Sequence, residues 1–229
     1  MRKTFASVFA WAYAVAQKNP GWKSRIAFHF LSLHMATFQD KIIIITAPSG
    51  AGKTSITRHL LKVFPQLSFS ISAATREARG YEAHGKDYYF MPLNDFKQKI
   101  QHNEFVEWEM VYEGKYYGTL KSELQRIWDN HQCPLLDIDV KGAIHVQQQY
   151  PDTSLTIFIE PPSVAELKRR LESRGTETAE SLQARVNKAS FEISFKESFN
   201  QSIVNDDLEK ACAMAERIVR EFLMLPDSD

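Results

Sequence analysis

Among its 229 residues this chain has only two cysteines, no surplus of charge of either sign, and no apolar run long enough to cross a bilayer as a helix. Each shortage excludes something. Cys133 and Cys212 lie far apart, which leaves neither a disulfide framework nor the paired spacing of a zinc site, and suits a reducing cytoplasm. Lys plus Arg and Asp plus Glu stand at 28 each, so no global field favours nucleic acid or an anionic membrane. Any anion must therefore be held by a local site. The apolar stretch from Thr4 to Ala16 falls short of the ~20 residues that a spanning helix needs. Its basic start and the Ala14-Val15-Ala16 triplet resemble a cleavable leader, but Met35 opens a natural beginning for a domain whose first strand follows at once. The expectation is an N-terminal extension at residues 1–38, disordered or read from an upstream start codon, on a cytoplasmic protein. No repeat or low-complexity linker follows residue 40.

What is present begins with "IIIITAPSGAGKTSITRHLLKVF" at 42–64. Residues 41–46 are β-branched and apolar on both faces, as in a buried parallel strand, and Ile56, Leu60, Leu61 and Phe64 recur at helical spacing over 53–64. Strand, loop and helix follow in order. Strand-like runs at 69–72, 133–140 and 155–160 alternate with helical patterns at 119–130, 141–149 and 163–174, which implies a parallel sheet covered by helices. A last helix is expected from Asp206, as N-cap, to about Leu223. The stretch from Thr75 to Tyr117 breaks the rhythm. It holds one helical pattern at 93–102 and the strand-like "EFVEWEMV", and reads as an inserted substrate subdomain.

The loop "APSGAGKT" comprises Ala47, Pro48, Ser49, Gly50, Ala51, Gly52, Lys53 and Thr54. It matches G-x-x-x-x-G-K-[ST] except that Ala47 replaces the first glycine. Gly50 and Gly52 let backbone N–H groups turn inward at a helix N-terminus, where the dipole favours phosphate. Lys53 can bridge the β- and γ-phosphates of ATP, Thr54 can offer its hydroxyl to Mg2+, and Ser55 completes the ATP-binding set. Further on, "SISAATREARGYEAHGKDYYF" sets Arg76 and Arg79 three apart, with Glu82 and Tyr88 close behind. Two arginines can fork onto a monoester phosphate and a tyrosine can donate to it. Taken alone, such a cluster is more often a solvated loop.

With these motifs the chain resembles the guanylate kinase family of P-loop nucleoside monophosphate kinases over about residues 40–224. The resemblance implies GMP-phosphate contacts at Ser72, Arg76, Arg79, Tyr88 and Tyr117. It implies guanine contacts at Glu107 of "FVEW" and Thr119 of "YYGT", with Glu82 and Asp139 near the ribose and base. A carboxylate suits guanine, whose N1–H and N2–H2 are adjacent donors. Asp137, at a strand end in "LLDIDVKG", is expected to hold Mg2+ through water. The "RxxxRGTET" string resembles the family's mobile lid, implying that Arg170, Arg174 and Arg185 close over both nucleotides' phosphates, and "VNDD" puts Asn205 near the adenine of ATP. On an ordinary surface helix these arginines would pair with glutamates instead. Ala78, Tyr81 and Lys141 depart from the family pattern.

The expected fold class is α/β: a parallel-sheet P-loop kinase core with helices on both faces, an inserted GMP-binding subdomain and a mobile lid. The domain would span 39–226, with the core at 39–73 and 119–226, the subdomain at 74–118 and the lid at 170–186. The expected reaction is phosphoryl transfer from ATP to GMP with Mg2+, catalysed by Lys53, Arg170, Arg174 and Arg185, in a monomer or homodimer with no nucleic-acid or membrane partner. Two alternatives are a non-catalytic scaffold, against which the intact Gly52-Lys53-Thr54 argues, and a sugar-phosphate kinase, against which Glu107 and Thr119 argue.

Overall fold

A computed structural model describes residue 38, residues 40–173 and residues 178–225, with Tyr112 described by its backbone alone. The extension expected at 1–38 lies outside the described residues, save residue 38. Strand β1 (Ile42–Thr46) is buried along its whole length. It lies between β7 (Cys133–Asp137) and β8 (Ser154–Glu160), with Ile43 opposite Leu135 on one side and Leu155 on the other. Adding β2 (Leu67–Phe69) and β9 (Gln201–Val204) gives an all-parallel sheet in the order β2-β7-β1-β8-β9.

Successive strand residues face opposite sides, so both faces of β1 must be covered. Ile42 and Ile44 join Leu124 and Trp128 of α3 (Lys121–Asp129) and Val140, Ala143 and Val146 of α4 (Val140–Gln149) in one core cluster. Ile43 and Ile45, equally inaccessible, face the side covered by α1 (Lys53–Val63), which buries Ile56 and Leu60 and packs in turn on α7 (Leu208–Leu223).

A second, mixed sheet of four strands runs β4-β3-β6-β5, from β3 (Ala73–Ala74), β4 (Tyr89–Phe90), β5 (Phe105–Tyr112) and β6 (Lys115–Leu120). Helix α2 (Leu93–Gln101) closes it by stacking Phe96 on Phe105, ring centroids 4.3 Å apart. Two further helices, α5 (Val164–Glu172) and α6 (Ala179–Ile193), pack together through Leu167, Leu171 and Ala189.

Several boundaries differ from the sequence pattern, and the strand expected at 133–140 stops at Asp137, with Val140 opening α4 behind an Asp139 cap. The strand expected at 69–72 is displaced to Leu67–Phe69, where Leu67 pairs with Cys133. The helix expected from residue 119 begins at Lys121, because Thr119 is held in β6 opposite Glu107. The last helix is capped by Asp207 rather than Asp206, since it is the Asp207 carboxylate that accepts from the Lys210 N–H at 3.0 Å. Neighbouring aspartates compete for one cap, and sequence pattern does not rank them.

Candidate active site

The loop after β1 is built by backbone. Gly50 and Gly52 take φ values of +96° and +99°, a left-handed conformation that side-chain-bearing residues rarely adopt. Ala47 stays outside that region, so its replacement of the first motif glycine costs no strain. Gly52 caps α1, which has no side-chain cap and no acidic residue in its first turn. The N-terminal N–H groups and the positive end of the helix dipole are thereby left for an anion. Thr54 and Ser55 stand exposed on that first turn. Lys53 pairs with Asp137 and donates to the Ile138 carbonyl at 3.2 Å, tying the loop to the end of β7.

Asn205, expected near the adenine of ATP, is held here by the loop itself. It is buried, its amide donates to the Ala51 carbonyl at 2.7 Å, and it fills the place where a Gly52 side chain would stand. Its backbone carbonyl accepts from Arg170 Nη2 at 3.0 Å, while Arg170 Nε donates to Glu166 at 2.8 Å. Arg185, on α6, donates to Ser49 Oγ at 3.0 Å. Both helices expected to form the lid thus carry an arginine to the phosphate loop or to the residue bracing it. Arg174 lies outside the described residues.

The other half of the site is built by side chains. Glu82 grips Arg76 through both carboxylate oxygens, at 2.5 and 2.7 Å, and accepts from the Arg79 backbone N–H at 2.8 Å. Those bonds hold the Glu82 carboxyl at about 2, well below the usual carboxylate range. Arg76 also lies over the rings of Tyr88 and Phe90, its guanidinium carbon 4.8 and 5.3 Å from their centroids. Arg79 is left exposed toward the cavity. Glu107, on β5, is 7% exposed, and its Oε1 accepts from the Thr119 hydroxyl at 2.7 Å. Burial pushes its carboxyl up to about 7, against the Thr119 hydrogen bond and with help from nearby Asp139. Asp139 caps α4 by accepting from the Gly142 N–H at 2.8 Å.

One cavity of about 440 Å³ joins the halves. Ser49, Lys53 and Asp137 line one end; Ser72, Arg79, Tyr88, Tyr117, Glu107 and Asp139 line the remainder. Arg76, Glu82 and Thr119 stand behind the lining and orient it. A phosphate loop and a carboxylate suited to two adjacent donors therefore open onto the same space.

A family model described as guanylate kinase matches residues 39–222. The chain belongs to the guanylate kinase family. It is similar to the guanylate kinases of Porphyromonas gingivalis, 45% identical over 184 residues (80% of this chain, 98% of the relative), and Bacteroides fragilis, 44% identical over 187 residues (82% and 92%). Among solved structures it is similar to guanylate kinase from Anaplasma phagocytophilum, with a TM-score of 0.65 and 32% identity, covering 80% of this chain and 86% of that one.

Motif reading missed several residues that line this cavity or stand behind it. Glu109 and Val111 also line the cavity, and their alternation with Glu107 along β5 could have revealed them. Glu123 is harder to foresee. Burial opposes its charge, but Arg126, the Ile71 N–H and the Tyr89 hydroxyl outweigh that and hold its carboxyl below the usual range. It ties α3 to the chain on both sides of the arginine loop, and no sequence signal marks it.

Proposed function

We propose that this site transfers the γ-phosphoryl group of ATP to GMP, giving ADP and GDP. The observation that carries the reading is the single cavity shared by Lys53 and Glu107. An oxygen of the GMP phosphate attacks the γ-phosphorus in line. The new O–P bond forms as the bond from the γ-phosphorus to the β–γ bridging oxygen breaks, and ADP leaves with that electron pair. No side-chain nucleophile is required, because positioning and charge stabilisation supply the catalysis.

Each residue has a role in this reading. The N–H groups around Gly50–Thr54 receive the phosphates of ATP, and Lys53 exchanges Asp137 for phosphate oxygens. Arg79, Tyr88, Tyr117 and Ser72 hold the GMP phosphate, with Arg76 bracing them through Glu82. Glu107 accepts from guanine N1–H and N2–H2, Thr119 orients it, and Asp139 lies near base and ribose. Arg170, Arg174 and Arg185 add positive charge when the α5–α6 segment closes over the nucleotides, where excluded water strengthens it.

The described residues hold no cluster of three or more acidic, histidine or cysteine ligands. The Thr54 hydroxyl on the first turn of α1 and the Asp137 carboxylate at the end of β7 are oxygen donors that fit Mg2+, which is usually bound by one or two protein ligands together with substrate phosphates. Thr54 would hold it directly and Asp137 through water. When bound, it supplies charge neutralisation across the phosphate oxygens.

An assay of ADP release with GMP, AMP and ribose 5-phosphate tests the reading. Turnover with GMP far above the other two is expected. Preference for ribose phosphate would favour the sugar-phosphate alternative, and absence of turnover with all three would favour the scaffold.

A further inference from the structure

Gly142 stands at the third position of α4, behind the cap made by Asp139. Its backbone is outside the left-handed region, so conformation does not demand glycine there. Helix propensity disfavours glycine relative to alanine at such a position. What does demand it is space. A Cβ on Gly142 would lie 2.7 Å from Glu107 Oε2, 3.2 Å from Glu107 Cδ and 3.3 Å from Asp139 Oδ1. These three nearest atoms all belong to carboxylates of residues that line the cavity.

From this geometry we infer that Gly142 is a specificity-determining residue: its bare Cα fixes where the Glu107 carboxylate stands, and so which purine edge the site accepts. The inference rests on the proposed GMP reading. Oε1 is tied to Thr119 at 2.7 Å, and Oε2 lies against Gly142, so the carboxylate is located by one hydrogen bond and one steric stop. Because the obstructed atoms are the far end of a side chain, an added methyl can be accommodated by moving the carboxylate. The fold then survives while the alignment with two base donors is lost. Those two donors are fixed on a rigid ring, and hydrogen bonds weaken steeply with misalignment.

The test is Gly142→Ala, measured with GMP, AMP and ATP alongside thermal unfolding. The expected result is a Tm equal to or above that of the wild type, with KM for ATP unchanged. KM for GMP should rise by roughly 10- to 100-fold, the range for losing a hydrogen bond to a charged acceptor, with a much smaller change for AMP. Glu107→Asp, one methylene shorter, supplies the second variant. On the Gly142→Ala background it should restore part of the lost GMP preference, although alone it weakens GMP use.

Unchanged KM for GMP in an enzyme that still prefers GMP over AMP would overturn the inference and leave the functional reading standing. A wild-type enzyme without that preference would overturn the reading itself. A large fall in Tm, or losses that simply multiply in the double variant, would make Gly142 a packing residue and overturn the inference.

Discussion

The two ends of the cavity are made by different means. At the proposed ATP end the candidate binding groups are chiefly backbone N–H donors, held by two left-handed glycines, a helix start without an acidic residue, and one buried asparagine. At the proposed GMP end they are side chains whose positions depend on other side chains: Glu107 on Thr119, and Tyr88 beside an Arg76 that is held by Glu82. A backbone cradle recognises any polyphosphate of the right size. A side-chain cradle reads a particular edge of a particular base, and its charge states depend on its surroundings. Changes at the first end should therefore alter catalysis for every acceptor, whereas changes at the second should alter which acceptor is used.

Lys53→Ala should give the largest effect. The ammonium is partly exposed and adds little to the core, but in the proposed reaction it faces charge that grows during transfer. A loss of about 10²- to 10³-fold in kcat is expected by the magnitude of removing one preorganised donor, equal for GMP and AMP, with Tm nearly unchanged. Steady-state kinetics with both acceptors and a thermal melt decide it. A loss confined to GMP would erase the contrast between the two ends.

Glu107→Ala should be nearly as large but selective. Two guanine donors are left without an acceptor, so kcat/KM for GMP should fall by about 2–4 kcal/mol, roughly 30- to 1,000-fold. Adenine carries an acceptor at N1, which the wild-type carboxylate repels, so AMP should lose far less or gain. Using both acceptors on one preparation controls for misfolding. Equal fractional losses would assign Glu107 a structural role and put base selection elsewhere.

The same contrast explains what was legible in the sequence. The phosphate loop was readable because backbone recognition leaves a short contiguous signature, strand then glycines then helix, and the α/β order was readable because a sheet buried on both faces needs unbroken apolar strands. The GMP end is scattered over residues 72–139, and only family resemblance assembled it. Even then the partners were hidden. Nothing local to Glu82 announces that it grips Arg76, nor does "KGA" announce that Gly142 lies against Glu107. Asn205 shows the same limit. Its motif does not reveal that its amide bonds Ala51, a partner 154 residues away. Long-range pairing depends on how elements pack, which residue spacing does not encode.

Gly52→Ala tests the backbone-built end directly. A φ of +99° is strained for alanine, and its Cβ would stand 2.1 Å from the Asn205 amide nitrogen, inside contact distance. Left-handed strain typically costs about 1–3 kcal/mol, and displacing Asn205 also frees the Ala51 carbonyl and loosens the brace under Arg170. Lower Tm and raised KM for ATP are expected, with the ratio of GMP to AMP use unchanged. A shift in that ratio would mean that the two ends are not separable.

The smallest effect is the dependence on pH, which separates the ends without a mutation. Burial raises the Glu107 carboxyl to about 7, and under the proposed function guanine needs it ionised. As pH falls from 8 to 6 the ionised fraction drops about tenfold, so kcat/KM for GMP should drop by a similar factor. The GMP phosphate also titrates near this range, but AMP carries the same phosphate, so the ratio of GMP to AMP use isolates Glu107. Stability of the ligand-free protein should move in the opposite sense. A carboxyl whose pKa is higher folded than unfolded favours the folded state fully below its unfolded value near 4.5, and that contribution is lost as pH rises through about 7. Between pH 5 and 8 the Tm of the wild type should therefore fall relative to Glu107→Gln, which cannot ionise, while selectivity for GMP rises only in the wild type. A GMP-to-AMP ratio flat across this range would show that Glu107 is already charged in the free enzyme, and that its burial is offset by partners other than Thr119.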